Sequence, residues 1–144
     1  MKSRREVSAG GLVYRETPGG VEVLICKDAG YHRWVLPKGV VRKDEDLQAA
    51  AVRETQEEVG VEARVVAALG EPERYIYTAR GVRVFKEVHY FLMAYVSGDE
   101  QTHDAEMEAV RWVPIDEAIE TLAYEGAKNV VRRGKALLEA DRPA

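Results

Sequence analysis

The run from Ala49 to Gly60, AAAVRETQEEVG, constrains the fold more than any other part of the chain. Asp44 or Asp46 can cap a helix here, and Gly60 stands where a left-handed terminator belongs. At about 100° per residue, Glu54, Glu57 and Glu58 share one helix face. Leu47, Ala50 and Ala51 lie seven residues before them, so one stripe passes from small apolar side chains to carboxylates within two turns. Neighbouring like charges cost a few tenths of a kcal/mol per pair in water, and more as the face dries. Either a counter-charge offsets that repulsion or the face is wet.

The segments around the helix read as strands. Residues 6–15 and 21–27 are apolar runs joined by ETPGG, whose Pro-Gly-Gly is turn chemistry, so a hairpin opens the chain. Pro37 and Gly39 interrupt a short extended piece before the helix. After it, residues 61–79 and 82–96 are rich in branched and aromatic side chains with Arg80-Gly81 between them, and are expected to pair as long antiparallel strands. AVRWVPI, 109–115, reads as another strand. Ile119, Leu122, Val130, Val131, Leu137 and Leu138 recur at helical spacing, giving one or two closing helices with Gly126 as a break. The last residues, EADRPA, read as a frayed end. This order predicts an α/β fold, a mixed sheet covered by helices, and not a repeating parallel unit.

At 144 residues the chain is one domain's worth, and no internal repeat or linker divides it. With 21 basic against 25 acidic residues it offers no broad positive field, which argues against a nucleic-acid partner. The single cysteine, Cys26, lies in an apolar run and reads as a buried structural thiol. The amino terminus has no apolar stretch long enough for a signal peptide, and nowhere do eighteen apolar residues run together; a cytoplasmic protein with no membrane partner is the expectation. Oligomeric state is not readable from one chain.

Three clustered carboxylates suit a hard divalent cation that shares its coordination with substrate phosphates. Such ions can activate water and brace the leaving oxygen in attack on phosphorus. Arg53, beside Glu54, can hold a carboxylate through its fork of donors. His32, His89 and His103 are not spaced as a metal pair.

From Gly39 the chain reads Gly, five residues, Glu45, seven residues, Arg53-Glu54, Thr55, Gln56, Glu57-Glu58, Val59, Gly60, Val61. This resembles the Nudix hydrolase signature GX5EX7REUXEEXGU, with U a bulky apolar residue; only Thr55 departs from it. The resemblance implies an α/β/α sandwich, one Nudix domain over 1–144 with its motif at 39–61, and hydrolysis of a diphosphate linked to another group. It also implies Mg²⁺ or Mn²⁺, two or more ions, bound by the Gly39 carbonyl, Glu54, Glu57 and Glu58. Arg53 would orient glutamates, Glu45 would steady the loop, and Glu54 or Glu58 would act as base. A further acid comes from HDAEMEAVRWV, where Glu106 is favoured over Glu108.

WVLPKG before the motif, with FKEVHYFLMAYV and AVRWVPIDEA after it, resembles the diadenosine polyphosphate hydrolase branch. That likeness implies Lys86 and Tyr90 as contacts to phosphate and adenine, with Lys38 near the polyphosphate. Lys86, Val88 and Tyr90 share one side of a strand by their period of two. Tyr75 and Tyr77, also at period two, offer a second aromatic wall, and Tyr77 is taken with Lys38, Lys86 and Tyr90 as substrate-binding. One departure is VVRKD at 40–44, where Arg42 and Lys43 would favour a more heavily phosphorylated substrate such as a diphosphoinositol phosphate or a longer polyphosphate. A nucleoside triphosphate pyrophosphohydrolase and a non-catalytic nucleotide-sensing or RNA-binding module are the remaining alternatives. The second is disfavoured because Arg53, Glu54, Glu57 and Glu58 are all present.

Overall fold

The structure, a computed structural model, describes residues 2–140. Its opening hairpin is β1 (Lys2–Thr17) and β2 (Gly20–Asp28), turned at Pro18-Gly19. Two short strands, β3 (Trp34–Val35) and β4 (Lys38–Val40), lead into helix α1 (Leu47–Val59). Asp46 caps that helix, its Oδ1 accepting from the Gln48 N–H, and Gly60 closes it at φ 77°. Strands β5 (Val61–Ala68), β6 (Glu73–Ala79), β7 (Val82–Gly98) and β8 (Met107–Pro114) follow, then α2 (Ile115–Thr121) and α3 (Glu125–Ala140).

Eight strands form one mixed sheet in the order β3-β2-β1-β7-β5, with β4 beside β1, β6 beside β7 and β8 beside β2. The long central pair, β1 and β7, is parallel from Lys2 opposite Val82 to Tyr14 opposite Ala94, and the other pairs are antiparallel. Alternating side chains of these strands fill two cores. Leu12, Val23, Ile25, Val88 and Leu92 meet α2 and α3 on one face. Val13, Leu24, Cys26 and Met93 meet Ala50, Ala51 and Val59 of α1 on the other. Both faces are covered by helices, so the architecture is the expected α/β/α sandwich.

Two expectations are corrected. The stretch 61–79 is two strands, because Gly70 takes φ 76° and the Leu69 N–H turns in to the Tyr90 carbonyl at 2.9 Å. Both pieces still pair antiparallel with β7. The closing helices break at Leu122, which is extended, and not at Gly126, which lies inside α3. The Ala123 N–H donates to the Trp34 carbonyl at 3.0 Å, fastening the break to β3. Of the expected frayed end, Glu139 and Ala140 complete α3 and residues 141–144 lie outside the described residues. Among the described residues no helix is long and apolar enough to cross a membrane.

Candidate active site

Arg53 organises the acidic end of α1. Its Nε and Nη2 each donate at 2.8 Å to an oxygen of Glu45, a two-pronged pair that ties the helix to the loop before it. Nη1 donates to Glu54 Oε1 at 2.6 Å and reaches Glu57 at 3.4 Å, and Nη2 also meets the Val40 carbonyl at 3.2 Å. The Arg53 bonds and the Arg42 N–H hold the Glu45 carboxyl down at about 2. Glu54 lies directly over β4: a Cβ added at Gly39 would overlap its carboxylate, so glycine leaves the carboxylate its present place there.

Glu58 is the buried member of the face, 8% exposed, with Oε1 accepting from the Lys38 N–H at 2.9 Å. Burial pushes its carboxyl up to about 8, against the Lys38 N–H and with the charges of Glu54, Glu106 and Asp104 adding. Four carboxylates therefore share one neighbourhood, and Asp104 is a member the sequence did not single out. Of the two acids weighed for the later loop, Glu106 contributes to this field. Glu108 is engaged elsewhere, 2.8 Å from His32 Nδ1 and 3.8 Å from Lys27 Nζ. His89 meets Glu87 and His103 the Asp104 carbonyl.

Among the described residues no three carboxylate, imidazole or thiol groups already stand at the spacing of a finished metal centre. Glu54 and Glu57 are turned toward Arg53, while Glu57 is exposed at the fringe. The donor set nonetheless fits a hard divalent ion: it is all oxygen, and the buried Glu58 carboxyl, raised first by burial and further by its neighbours' charge, stands in a repulsion that a cation relieves.

A cavity of about 580 Å³ adjoins this acidic end. Glu58 and Lys38 line it together with Glu73, Tyr75, Tyr90 and Tyr124. Burial lowers the Lys38 ammonium, with the Lys86 charge adding. Tyr90 is 8% exposed and lines the cavity, on the same strand face as Val88 and Lys86. Lys86 is buried against Glu6, in an ion pair, and fronts a shallower open depression of about 870 Å³ with Arg4, Arg5 and Phe85. Tyr77 is off the cavity wall, its hydroxyl donating to Glu6 at 3.4 Å; Tyr75, two residues earlier on the same face, takes the wall position. Tyr124, Arg33 and Glu73 are lining residues that sequence reasoning missed. Tyr124 sits beside the break between α2 and α3, which periodicity alone did not locate.

The NUDIX domain family model matches residues 4–134. The chain belongs to the Nudix family. It is 37% identical over 153 aligned positions to the mutator protein MutT4 of Mycobacterium tuberculosis, an alignment covering all of this chain and 61% of that protein, so it spans less than two thirds of MutT4. It is 31% identical over 134 positions to the asymmetrical bis(5'-nucleosyl)-tetraphosphatase of Caenorhabditis elegans, covering 91% of this chain and 95% of that one. A crystal structure of a C. elegans Ap4A hydrolase binary complex superposes with a TM-score of 0.76 at 28% identity, covering 94% of this chain and 98% of that chain.

Proposed function

We propose that this Nudix hydrolase acts on dinucleoside polyphosphates, the class that includes the diadenosine polyphosphates, with Mg²⁺ or Mn²⁺, two or more ions, as cofactor, residues 1–144 working as one domain. The observation that carries the reading is that Glu58 and Lys38 line the same cavity as Tyr75, Tyr90 and Tyr124. Acid, cation and aromatic walls in one concave site match a substrate with a phosphate chain and a flat base. Aromatic stacking of a base is worth about 1–3 kcal/mol per ring. The names of the C. elegans relatives, which align over nearly their whole length, support the same class.

The Gly39 carbonyl, Glu54, Glu57, Glu58 and Glu106 would hold the metal, which when bound polarises a phosphoryl oxygen and acidifies water. Arg53 keeps Glu54 oriented and Glu45 anchored as the phosphate chain enters. Each candidate base keeps one oxygen uncommitted. Glu54 uses Oε1 for Arg53 and Glu58 uses Oε1 for the Lys38 N–H, so in both Oε2 is available to take the proton of an attacking water. The ammonium of Lys38 offsets charge on the polyphosphate, while Lys86, paired with Glu6, fronts the neighbouring depression.

The test is a panel of diadenosine polyphosphates, nucleoside triphosphates, nucleotide sugars and diphosphoinositol phosphates at matched concentration with Mg²⁺ and Mn²⁺. Higher kcat/KM for the dinucleosides is expected. Strong preference for triphosphates, the second reading, overturns the assignment.

A further inference from the structure

Glu73 is a carboxylate on the wall of the cavity that Lys38 and Arg33 also line, and nothing in the hydrolysis described above uses it. It opens β6 opposite Val88 of β7, and so shares the cavity face with Tyr75. Among the described residues no side chain donates to its carboxylate and no cation lies within salt-bridge distance. The charges of Arg133 and Lys38 act on it from farther off, while Arg133 itself donates to the Leu69 carbonyl at 3.3 Å. The start of α3 makes room for it. A Cβ at Gly126 would overlap Glu73 Oε2, although Gly126 lies in α3 and has no positive φ, so alanine would serve the helix better. The fold thus keeps a helix-weakening glycine where an aromatic-walled cavity ends in a carboxylate.

A carboxylate repels phosphate, so in a nucleotide cavity it faces the neutral part of the ligand and accepts from its N–H or O–H donors. Guanine presents N1–H and N2–H side by side, which two carboxylate oxygens accept together. Adenine presents one N6 donor beside the N1 lone pair, which would meet the second oxygen and repel it. We propose that Glu73 is a specificity-determining residue that selects guanine over adenine in this cavity, with Gly126 as its positioning residue. The inference rests on the reading of the cavity as a nucleotide site and names the base it takes.

The experiment measures kcat/KM at pH 8 for diguanosine and diadenosine tetraphosphate, and for GTP and ATP, in the wild type, Glu73→Gln and Gly126→Ala, each checked for folding by circular dichroism. The wild type is expected to favour guanine about tenfold or more, the range of a lost or gained two-pronged base contact. Glu73→Gln offers one acceptor and one donor, the pattern adenine matches, and its ratio should fall to unity or invert. Gly126→Ala displaces only the flexible end of Glu73 and should lower the ratio without lowering Tm. Equal rates for guanine and adenine compounds, or a ratio untouched by Glu73→Gln, overturn the inference; that is also the result expected if Glu73 bonds ribose hydroxyls. Should the triphosphates alone be cleaved, with guanine favoured through Glu73, the dinucleoside reading fails and this one stands. Should none be cleaved, the GDP to ADP affinity ratio by tryptophan fluorescence decides in the same way, a ratio near unity overturning it.

Discussion

At Thr55 the side chain departs from the bulky apolar residue of the motif, and its hydroxyl is buried with no hydrogen-bond partner among the described residues. An unsatisfied buried hydroxyl costs about 1–3 kcal/mol, so Thr55→Val, nearly the same in shape, should stabilise the protein by roughly 1 kcal/mol in urea unfolding. An unchanged or lower midpoint would show that the hydroxyl has a partner in solution. Glu58 gives a prediction in pH. Its folded carboxyl titrates at about 8, above the ordinary 4.5, so between those values the folded state holds a proton that the unfolded chain has released. Stability in chelator should therefore fall as pH rises from about 5 to 8, and the slope should be reduced in Glu58→Gln. Glu45 has the opposite sign: its carboxyl sits at about 2, and its contribution is present above 4.5 and lost on acidification toward 2. Equal slopes in wild type and Glu58→Gln would refute the burial account of Glu58.

At the scale of elements, α1 connects the metal-type face to the rest of the site through both its ends. The Arg53 and Glu45 pair holds its start, and Gly60 at φ 77° ends it against the loop that carries Asp104 and Glu106. A Cβ at residue 60 would stand 2.6 Å from the Asp99 carbonyl and from Thr102 Oγ1. Gly60→Ala should then cost about 2 kcal/mol or more in urea unfolding, from left-handed strain of about 1 kcal/mol plus the crowding of that loop. A loss under 0.5 kcal/mol would mean the loop yields freely. The same elements show what the sequence makes legible. The helix, its caps, the pairing of its acids and the shared face of Lys86, Val88 and Tyr90 follow from local spacing, because period and capping are short-range physics. The choice between Tyr75 and Tyr77 does not, since both lie on one strand face and only tertiary packing decides which lines the cavity. Asp104, Glu73 and Tyr124 were hidden for the same reason: each reaches the site from an element distant in sequence, with no local pattern to mark it.

For the whole molecule, a parallel central pair lets β7 run alongside β1 and carry cavity residues past β4, while α1 meets the opposite face. The acidic end of α1 and the aromatic cavity are thereby brought to one place from two sides of a sheet, with Glu58 belonging to both. The most direct test of that union is the Mg²⁺-dependent kcat/KM for a dinucleoside tetraphosphate in wild type and Glu58→Gln, with Tm measured on each. The account predicts turnover abolished by chelator and restored by Mg²⁺, and a loss of about 100-fold or more in Glu58→Gln at a retained Tm. Turnover in a folded Glu58→Gln equal to wild type, or wild-type turnover undiminished by chelator, would contradict it.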